Sequence, residues 1–291
     1  MSELKLDEFK AWTATKQRVL REYLKQYSTI LTRQHGLEHV YVDAFAGAGL
    51  LRTAVTGELV EGTPLIALGI APPFAEYHFI EDNQARAQRL RQLCTRYPQA
   101  QVHVGDCNEI LVDRILPRCK YSDRRRAFWL LDAYGMHYGW RVIEAAGRER
   151  SIELFLNWSI MDINRNIALT DTSKLSPEAK ARMRDVWGDD NWTGQFYAKQ
   201  LSLLAGHPDR DQKRSYRTFI EAYCKRLKEV AGFAFVPKPV LIVGGRNQPL
   251  YYLVFASNNE TGARIAGHLL RREERRARSD AAPTGTVSSG S

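Results

Sequence analysis

Residues 239–245 (PVLIVGG) and 250–257 (LYYLVFAS) read as two β-strands joined by only a few residues around GGRNQP, and no other feature limits the topology as tightly. A parallel connection needs a crossover of a dozen residues or more, so this pair must be an antiparallel hairpin. Upstream, strand-like and helix-like runs alternate. Strands are expected at 39–45 (HVYVDAF), 76–81 (EYHFIE), 101–104 (QVHV), 127–132 (AFWLLD) and 152–158 (IELFLNW). Helices are expected at 64–71, 83–97, 107–118 and 140–149. Nearly continuous apolar strands separated by helices indicate a parallel sheet covered on both faces.

Five parallel strands closed by an antiparallel hairpin give an α/β fold of the class I methyltransferase-like (Rossmann-like) kind, with a mostly parallel seven-stranded sheet. A nicotinamide-binding sheet would keep its last strand parallel. Ligands of such a doubly wound fold sit at the carboxyl ends of the strands. Residues 1–36 form an N-terminal helical extension, with Trp12, Val19, Leu20, Tyr23, Leu24 and Tyr27 on one stripe of a helix spanning 7–34. Lys10, Lys16, Arg18, Arg21 and Lys25 occupy much of the rest and read as a solvated basic face. The α/β domain covers 37–174 and 233–275. Residues 175–232 between them carry no strand signal and form a helical insertion, with helices at SPEAKARMRDVWG and SYRTFIEAYCKRLKEVAG that each end at a glycine. Residues 276–291 read as a disordered tail.

Composition excludes some classes and leaves others open. With 291 residues, 44% of them hydrophobic, the chain can bury a substantial core. No apolar run approaches the roughly 18 residues that cross a bilayer. The start MSELKLDEFK has no signal-peptide core, so a cytoplasmic protein without membrane attachment is expected. Cys94, Cys107, Cys119 and Cys224 form no C-x-x-C pair, which argues against a zinc site and for reduced thiols. A net charge of +9 suits a polyanionic partner and equally an ordinary basic enzyme.

The chemistry concentrates at the expected carboxyl edge. In YVDAFAGAG (41–49), Gly47 and Gly49 let the backbone turn tightly beside a ligand, with Phe45 in the same loop. Arg52 stands where a dinucleotide fingerprint has its third glycine, which argues against a pyrophosphate. Asp43 would repel phosphate and attract an ammonium. Glu81, with Asp82 as its rival, ends the second strand where an acid accepts from both ribose hydroxyls. Asp106 follows the third, next to Cys107, where it either accepts from an adenine amine or caps the next helix with Glu109. Acids at the ends of strands one, two and three suit an ammonium, a ribose and an adenine in order, which together are S-adenosyl-L-methionine.

The fourth strand ends in LLDAYGMHYGW (130–140), placing Asp132 and Tyr134 as the catalytic candidates. An acid there accepts a hydrogen bond from an amine being methylated, while an aromatic ring stacks on the base. The stretch resembles the D-P-P-Y motif of amino-methyltransferases acting on nucleic acid, with Ala133 in place of a proline and the tyrosine two positions after the acid. His137, Tyr138, Trp140, Asn157, Arg165 and Arg246 are the substrate-side candidates, with packing as the competing role of the aromatics. Trp187 and Trp192 contact substrate or fill a helical core. The basic run KYSDRRRAF (120–128) precedes a strand and so belongs to the opposite edge.

In this order, the pieces resemble the three-Cys-motif partner protein family over residues 9 to about 272. The matching features are the N-terminal helix with its Trp and Lys, YVDAFAGAG, GTPLIAL, HFIEDN, VGDCNEIL, LLDAYG, the N-W-S…NRN stretch and YYLVFAS. D-A-Y-G stands where that family has D-P-Y-G. The resemblance implies a class I methyltransferase-like fold and a partner protein bearing a three-cysteine motif. The expectation is a methyltransferase acting on a base of RNA or DNA. The alternative is a binding or scaffold protein that keeps the fold.

Overall fold

The computed structural model describes residues 6–53, 56–167, 175–200, 210–213, 215–245 and 248–281, with the backbone alone for Ala11, 164–167, 198–200, 210–213 and 277–281. The chain opens with a short strand β1 (Asp7–Phe9) and a 22-residue helix α1 (Ala11–Thr32). Then come β2 (Glu38–Asp43), the hairpin strands β3 (Leu50–Thr53) and β4 (Leu59–Glu61), α2 (Thr63–Leu68), β5 (Glu76–Glu81), α3 (Gln84–Cys94) and β6 (Ala100–Val104). The next helical stretch starts as α4 (Cys107–Glu109) and continues as a π-type segment (Ile110–Ile115) and a 3₁₀ turn (Leu116–Arg118). β7 (Arg125–Leu131), α5 (Trp140–Glu149), β8 (Ile152–Ser159) and α6 (Ile160–Ile167) follow. Next lie α7 (Pro177–Trp187), α8 (Trp192–Phe196), β9 (Tyr197–Gln200), β10 (Arg210–Lys213) and α9 (Tyr216–Glu229). β11 (Val240–Val243), β12 (Pro249–Ala256) and α10 (Glu260–Ala281) complete it.

Seven strands form one sheet in the order β11-β12-β8-β7-β2-β5-β6. β12 runs antiparallel to both β8 and β11, and the pairings among β8, β7, β2, β5 and β6 are all parallel. This is the class I methyltransferase-like, Rossmann-like sheet, closed by the antiparallel hairpin. The chain leaves β2 toward β5 and β6, then returns to add β7 on the other side. That reversal opens a crevice above the carboxyl ends of β2 and β7, where Asp43 lies level with Leu130.

Alternate residues of each strand feed two cores. Val40, Val42, Trp129, Leu131, Leu154, Leu156 and Trp158 pack on one face with α5, α7 and α9. Tyr41, Phe79, Phe128, Leu130 and Phe155 pack on the other with α1, α2, α3 and α10. Each such aromatic or aliphatic side chain contributes roughly 1.5–3 kcal/mol by leaving water, which is why both faces read as apolar.

Three expectations change, and for the insertion's two tryptophans one of two alternatives is realised. Residues 7–9 are a strand, paired parallel to Leu51–Thr53, rather than the first turn of α1. The insertion holds an antiparallel pair, β9 with β10, whose polar residues carry no alternation because the two strands pair only with each other. Trp187 and Trp192 are buried in the insertion and join the first core with Phe219 and Tyr223. Helix α10 runs to Ala281, so 276–281 of the expected tail is helical, and 282–291 lies outside the described residues. No helix among the described residues is long and apolar enough to cross a membrane.

Candidate active site

A cavity of about 690 Å³ occupies the crevice, a size suited to a cofactor or a small ligand. Its walls are the loop Phe45–Gly49 after β2, Asp7 and Glu8 of β1, Thr13, Lys16 and Gln17 of α1, Asp132–Tyr134 after β7, Asn157 and Ser159 of β8, and Leu250 and Tyr251 of β12. Gly47 (φ 63°) and Gly49 (φ 79°) both take the left-handed conformation that the tight turn demands. A Cβ on Gly49 would lie 2.9 Å from the Cδ1 atoms of Leu90 and Leu93. A third glycine does approach this loop, from an unexpected place: Gly62 donates its N–H to the Gly49 carbonyl at 2.9 Å, and a Cβ there would meet that oxygen.

Asp43 is fully buried and does not line the cavity. Its carboxylate accepts from the Phe45 N–H at 3.2 Å, the Tyr41 hydroxyl at 3.4 Å and the Thr63 hydroxyl at 2.5 Å. Burial raises its pKa to about 7, against the opposing pull of the Thr63 bond. Thr63 does line the cavity, so Asp43 faces the site through that hydroxyl.

Asp132 directly follows β7 and meets the Lys16 ammonium from α1 in an ion pair, both side chains being 13% exposed. Its other oxygen accepts from the Asn157 amide at 3.3 Å. The same amide donates to the Ala133 carbonyl, and the buried Asn157 Oδ1 has no partner. Tyr134 is 77% exposed at the mouth. Met161 is also partly exposed there, and Lys10 sits 5.4 Å above the Trp12 ring beside the cavity. β1 straps the glycine loop: Asp7 pairs with Arg86 at 3.0 Å, and its Oδ2 lies 3.6 Å from where a Gly47 Cβ would be.

The remaining acids lie along the same carboxyl edge, outside this cavity's lining. Glu81 is buried, accepts from the Asn83 N–H at 2.9 Å, and is held above its ordinary pKa chiefly by burial. Asp82 is exposed beside it. Asp106 caps α4, accepting from the Asn108 N–H at 2.6 Å, so the capping alternative is realised without Glu109. Burial pushes the Cys107 thiol to about 12, and its Sγ lies 3.8 Å from the His137 carbonyl.

Two substrate-side expectations are corrected. Tyr138 is completely buried and donates its hydroxyl to the Asn157 carbonyl at 2.9 Å. Trp140 is 5% exposed and packs edge-on against Tyr223. Both are core residues because α5 starts at Trp140 and turns its apolar face to the insertion. His137 is exposed but away from the cavity. The Arg165 side chain and the whole of Arg246 lie outside the described residues.

Sequence reasoning missed three contributors. From the sequence alone Lys16 belongs to the solvated basic face of α1, since a helical wheel shows direction but not what lies opposite. Asn108 fastens the Asp132–Trp140 loop, accepting from the Gly139 N–H at 2.7 Å and donating to the His137 carbonyl at 3.1 Å. Asp185 of α7 comes close to Gly139, and burial together with Asp106 raises its pKa. Only the asparagine after the D-C pair and the N-terminal lysine offered any signal.

No protein-family model matches the chain, and no curated protein matches it. Solved structures do resemble it. A protein from Legionella pneumophila is 9% identical, covers 88% of this chain and 91% of its own, and has a TM-score of 0.48. A putative methyltransferase from Thermobifida fusca is 14% identical, with coverages of 84% and 81% and a TM-score of 0.42. An S-adenosylmethionine-dependent methyltransferase from Clostridium acetobutylicum is 11% identical, with 83% and 92% covered and a TM-score of 0.39. These likenesses concern the fold, which the strand order already defines.

Proposed function

We propose that this chain is an S-adenosyl-L-methionine-dependent methyltransferase acting on an amine of a nucleic-acid base. One observation carries the reading: Asp132, the two-glycine loop and the exposed Tyr134 ring share a single cavity at the sheet's crossover. The residues present fit the cofactor. Gly47 keeps its backbone bare on the cavity wall, with only Asp7 Oδ2 near its Cβ position. Asn157 Oδ1 is a buried acceptor without a partner, and the Thr63 hydroxyl links Asp43 to the cavity wall. Asp43 with Thr63 would hold the ammonium, Glu81 the ribose and Asp106 the adenine.

The cofactor, when bound, supplies an electrophilic methyl group, so the protein's work is positioning. Asp132 accepts a hydrogen bond from the target amine and turns its lone pair toward the donor. Lys16 and Asn157 fix that carboxylate's direction. Tyr134 offers a ring face on which a base stacks. Lys10 and Trp12 border the same opening with a cation and a further ring.

The Lys16 ion pair also supports a second reading, in which the acid is already satisfied and the chain serves as a binding protein, with a three-Cys-motif protein as its partner. Mass spectrometry of nucleosides from cells with and without the gene separates the two. A methylated nucleoside that disappears with the gene and is not restored by Asp132→Ala supports the enzyme. Identical nucleoside profiles contradict it.

A further inference from the structure

A second pocket, of about 210 Å³, lies at the opposite, amino edge of the sheet and plays no part in the site above. The basic run at 120–128 arrives here, and its arginines have separate fates. Arg125 pairs with Glu38 at 2.6 Å and Glu76 at 2.9 Å, and Arg124 donates to the His35 carbonyl at 2.6 Å. Arg126 instead lines the pocket, its guanidinium 3.7 Å over the Tyr121 ring. Arg150 lines it from the end of α5, in a left-handed conformation (φ 61°) that normally favours glycine or asparagine. Among the described residues, neither guanidinium has a carboxylate within ion-pair distance.

Two further observations point to an occupant. Tyr27 is 6% exposed and lines the pocket, yet its hydroxyl has no hydrogen-bond partner. A buried hydroxyl left unpaired costs about 1–3 kcal/mol, so a ligand acceptor there relieves a standing deficit. The 22-residue α10 begins at this wall: Asn259 accepts from the Gly262 N–H at 2.9 Å, and Asn258 and Asn259 both line the pocket. A helix N-terminus favours negative charge.

The two guanidinium groups lack a carboxylate partner, Arg126 donating only to the Arg125 carbonyl at 2.7 Å. From these two groups, an orphaned hydroxyl and a helix N-terminus around one small pocket, we infer that it binds a phosphate monoester. Planar arginines match phosphate oxygens, and a site of this volume, equal to about seven waters, admits the phosphate and part of a sugar. Glu153 is the one carboxylate on the lining, and it is shielded. Its oxygens accept from the hydroxyls of Tyr23 and Ser257. Burial raises its pKa to about 7, so below neutrality it is mostly uncharged and does little to repel an anion.

Calorimetric titration of the full chain with ribose 5-phosphate, inorganic phosphate and dimethyl phosphate tests the assignment. Ribose 5-phosphate binds, and Arg126→Gln or Arg150→Gln weakens it at least about tenfold. Tyr27→Phe keeps the ring and weakens binding a few-fold, with thermal melts confirming that each variant folds. Inorganic phosphate binding as tightly as the sugar phosphate identifies the free ion as the source, and weaker binding identifies a phosphorylated small molecule. No heat from ribose 5-phosphate at millimolar concentration overturns the assignment. Unchanged affinity in both arginine variants, or equal affinity for dimethyl phosphate, overturns it too.

Discussion

Lys16 and Asp132, 116 residues apart, meet in an ion pair that joins the N-terminal helix to the end of the fourth parallel strand. Both are mostly shielded from water, so each holds the other in place more firmly than a surface pair would. Lys16→Ala leaves a half-buried carboxylate unpaired. It should destabilise the fold by about 1–3 kcal/mol in urea unfolding and lower turnover at least about tenfold, with Lys16→Arg recovering part of both. A double-mutant cycle with Asp132→Ala checks it, and additive effects would show that the two side chains act independently.

Asp43 makes the fold's stability depend on pH in a definite direction. Its pKa rises from 3.8 to about 7 on folding, because burial penalises the charge. Stability from the protonated form is therefore complete below about pH 4 and is lost as pH climbs through about 7. About three pKa units correspond to roughly 4 kcal/mol at most. Glu153 shifts the same way, so the comparison must be with Asp43→Asn. Urea unfolding at about pH 3.5 should find the two proteins similar, and as the pH rises to about 8 the variant should become progressively the more stable. A wild type that gains on the variant as pH rises would refute this.

Tyr134 has 77% of its surface in water, so its removal should leave the melting temperature within a degree or two. Base stacking on an aromatic contributes about 1–3 kcal/mol. Tyr134→Ala should accordingly raise KM for a nucleic-acid substrate roughly 5- to 100-fold while cofactor affinity is unchanged, and Tyr134→Phe should behave like wild type. Equal KM values for Ala and wild type would remove the ring from the substrate's path.

The two loop glycines should respond differently to alanine. At Gly49 the positive φ is joined by a 2.9 Å approach to two leucine methyls, so Gly49→Ala should cost about 2–4 kcal/mol of stability. At Gly47 only Asp7 is near, at 3.6 Å, so Gly47→Ala should cost about 1 kcal/mol and act mainly on cofactor affinity. Denaturant unfolding beside cofactor titration distinguishes the two, and the reverse order would mean that the loop faces away from the ligand.

The sheet was legible because its information is local. The run FWLL lies within one strand, and the five residues between the closing strands permit only a hairpin. Asp132 and Tyr134 were legible for the same reason, being adjacent to a strand end. What stayed hidden depends on partners far along the chain. β1 exists because Asp7–Phe9 finds Leu51–Thr53, and DEF alone has no strand pattern. Lys16 resembles any solvated lysine until α1 is packed beside β7. Tyr138 and Trp140 looked like substrate contacts because a helix start, which turns them inward, sits in the middle of an aromatic-rich loop.

The central claim is that the cavity carries a methyl donor and that Asp132 directs the transfer. Labelled methyl transfer from S-adenosyl-L-methionine to pooled cellular RNA and DNA, measured for wild type and Asp132→Ala alongside calorimetric cofactor affinity, tests it most directly. Wild type should incorporate label, Asp132→Ala should lose at least about a hundredfold, and cofactor affinity should agree within about threefold between the two proteins. No incorporation by wild type, with no heat from the cofactor or its demethylated product, would contradict it.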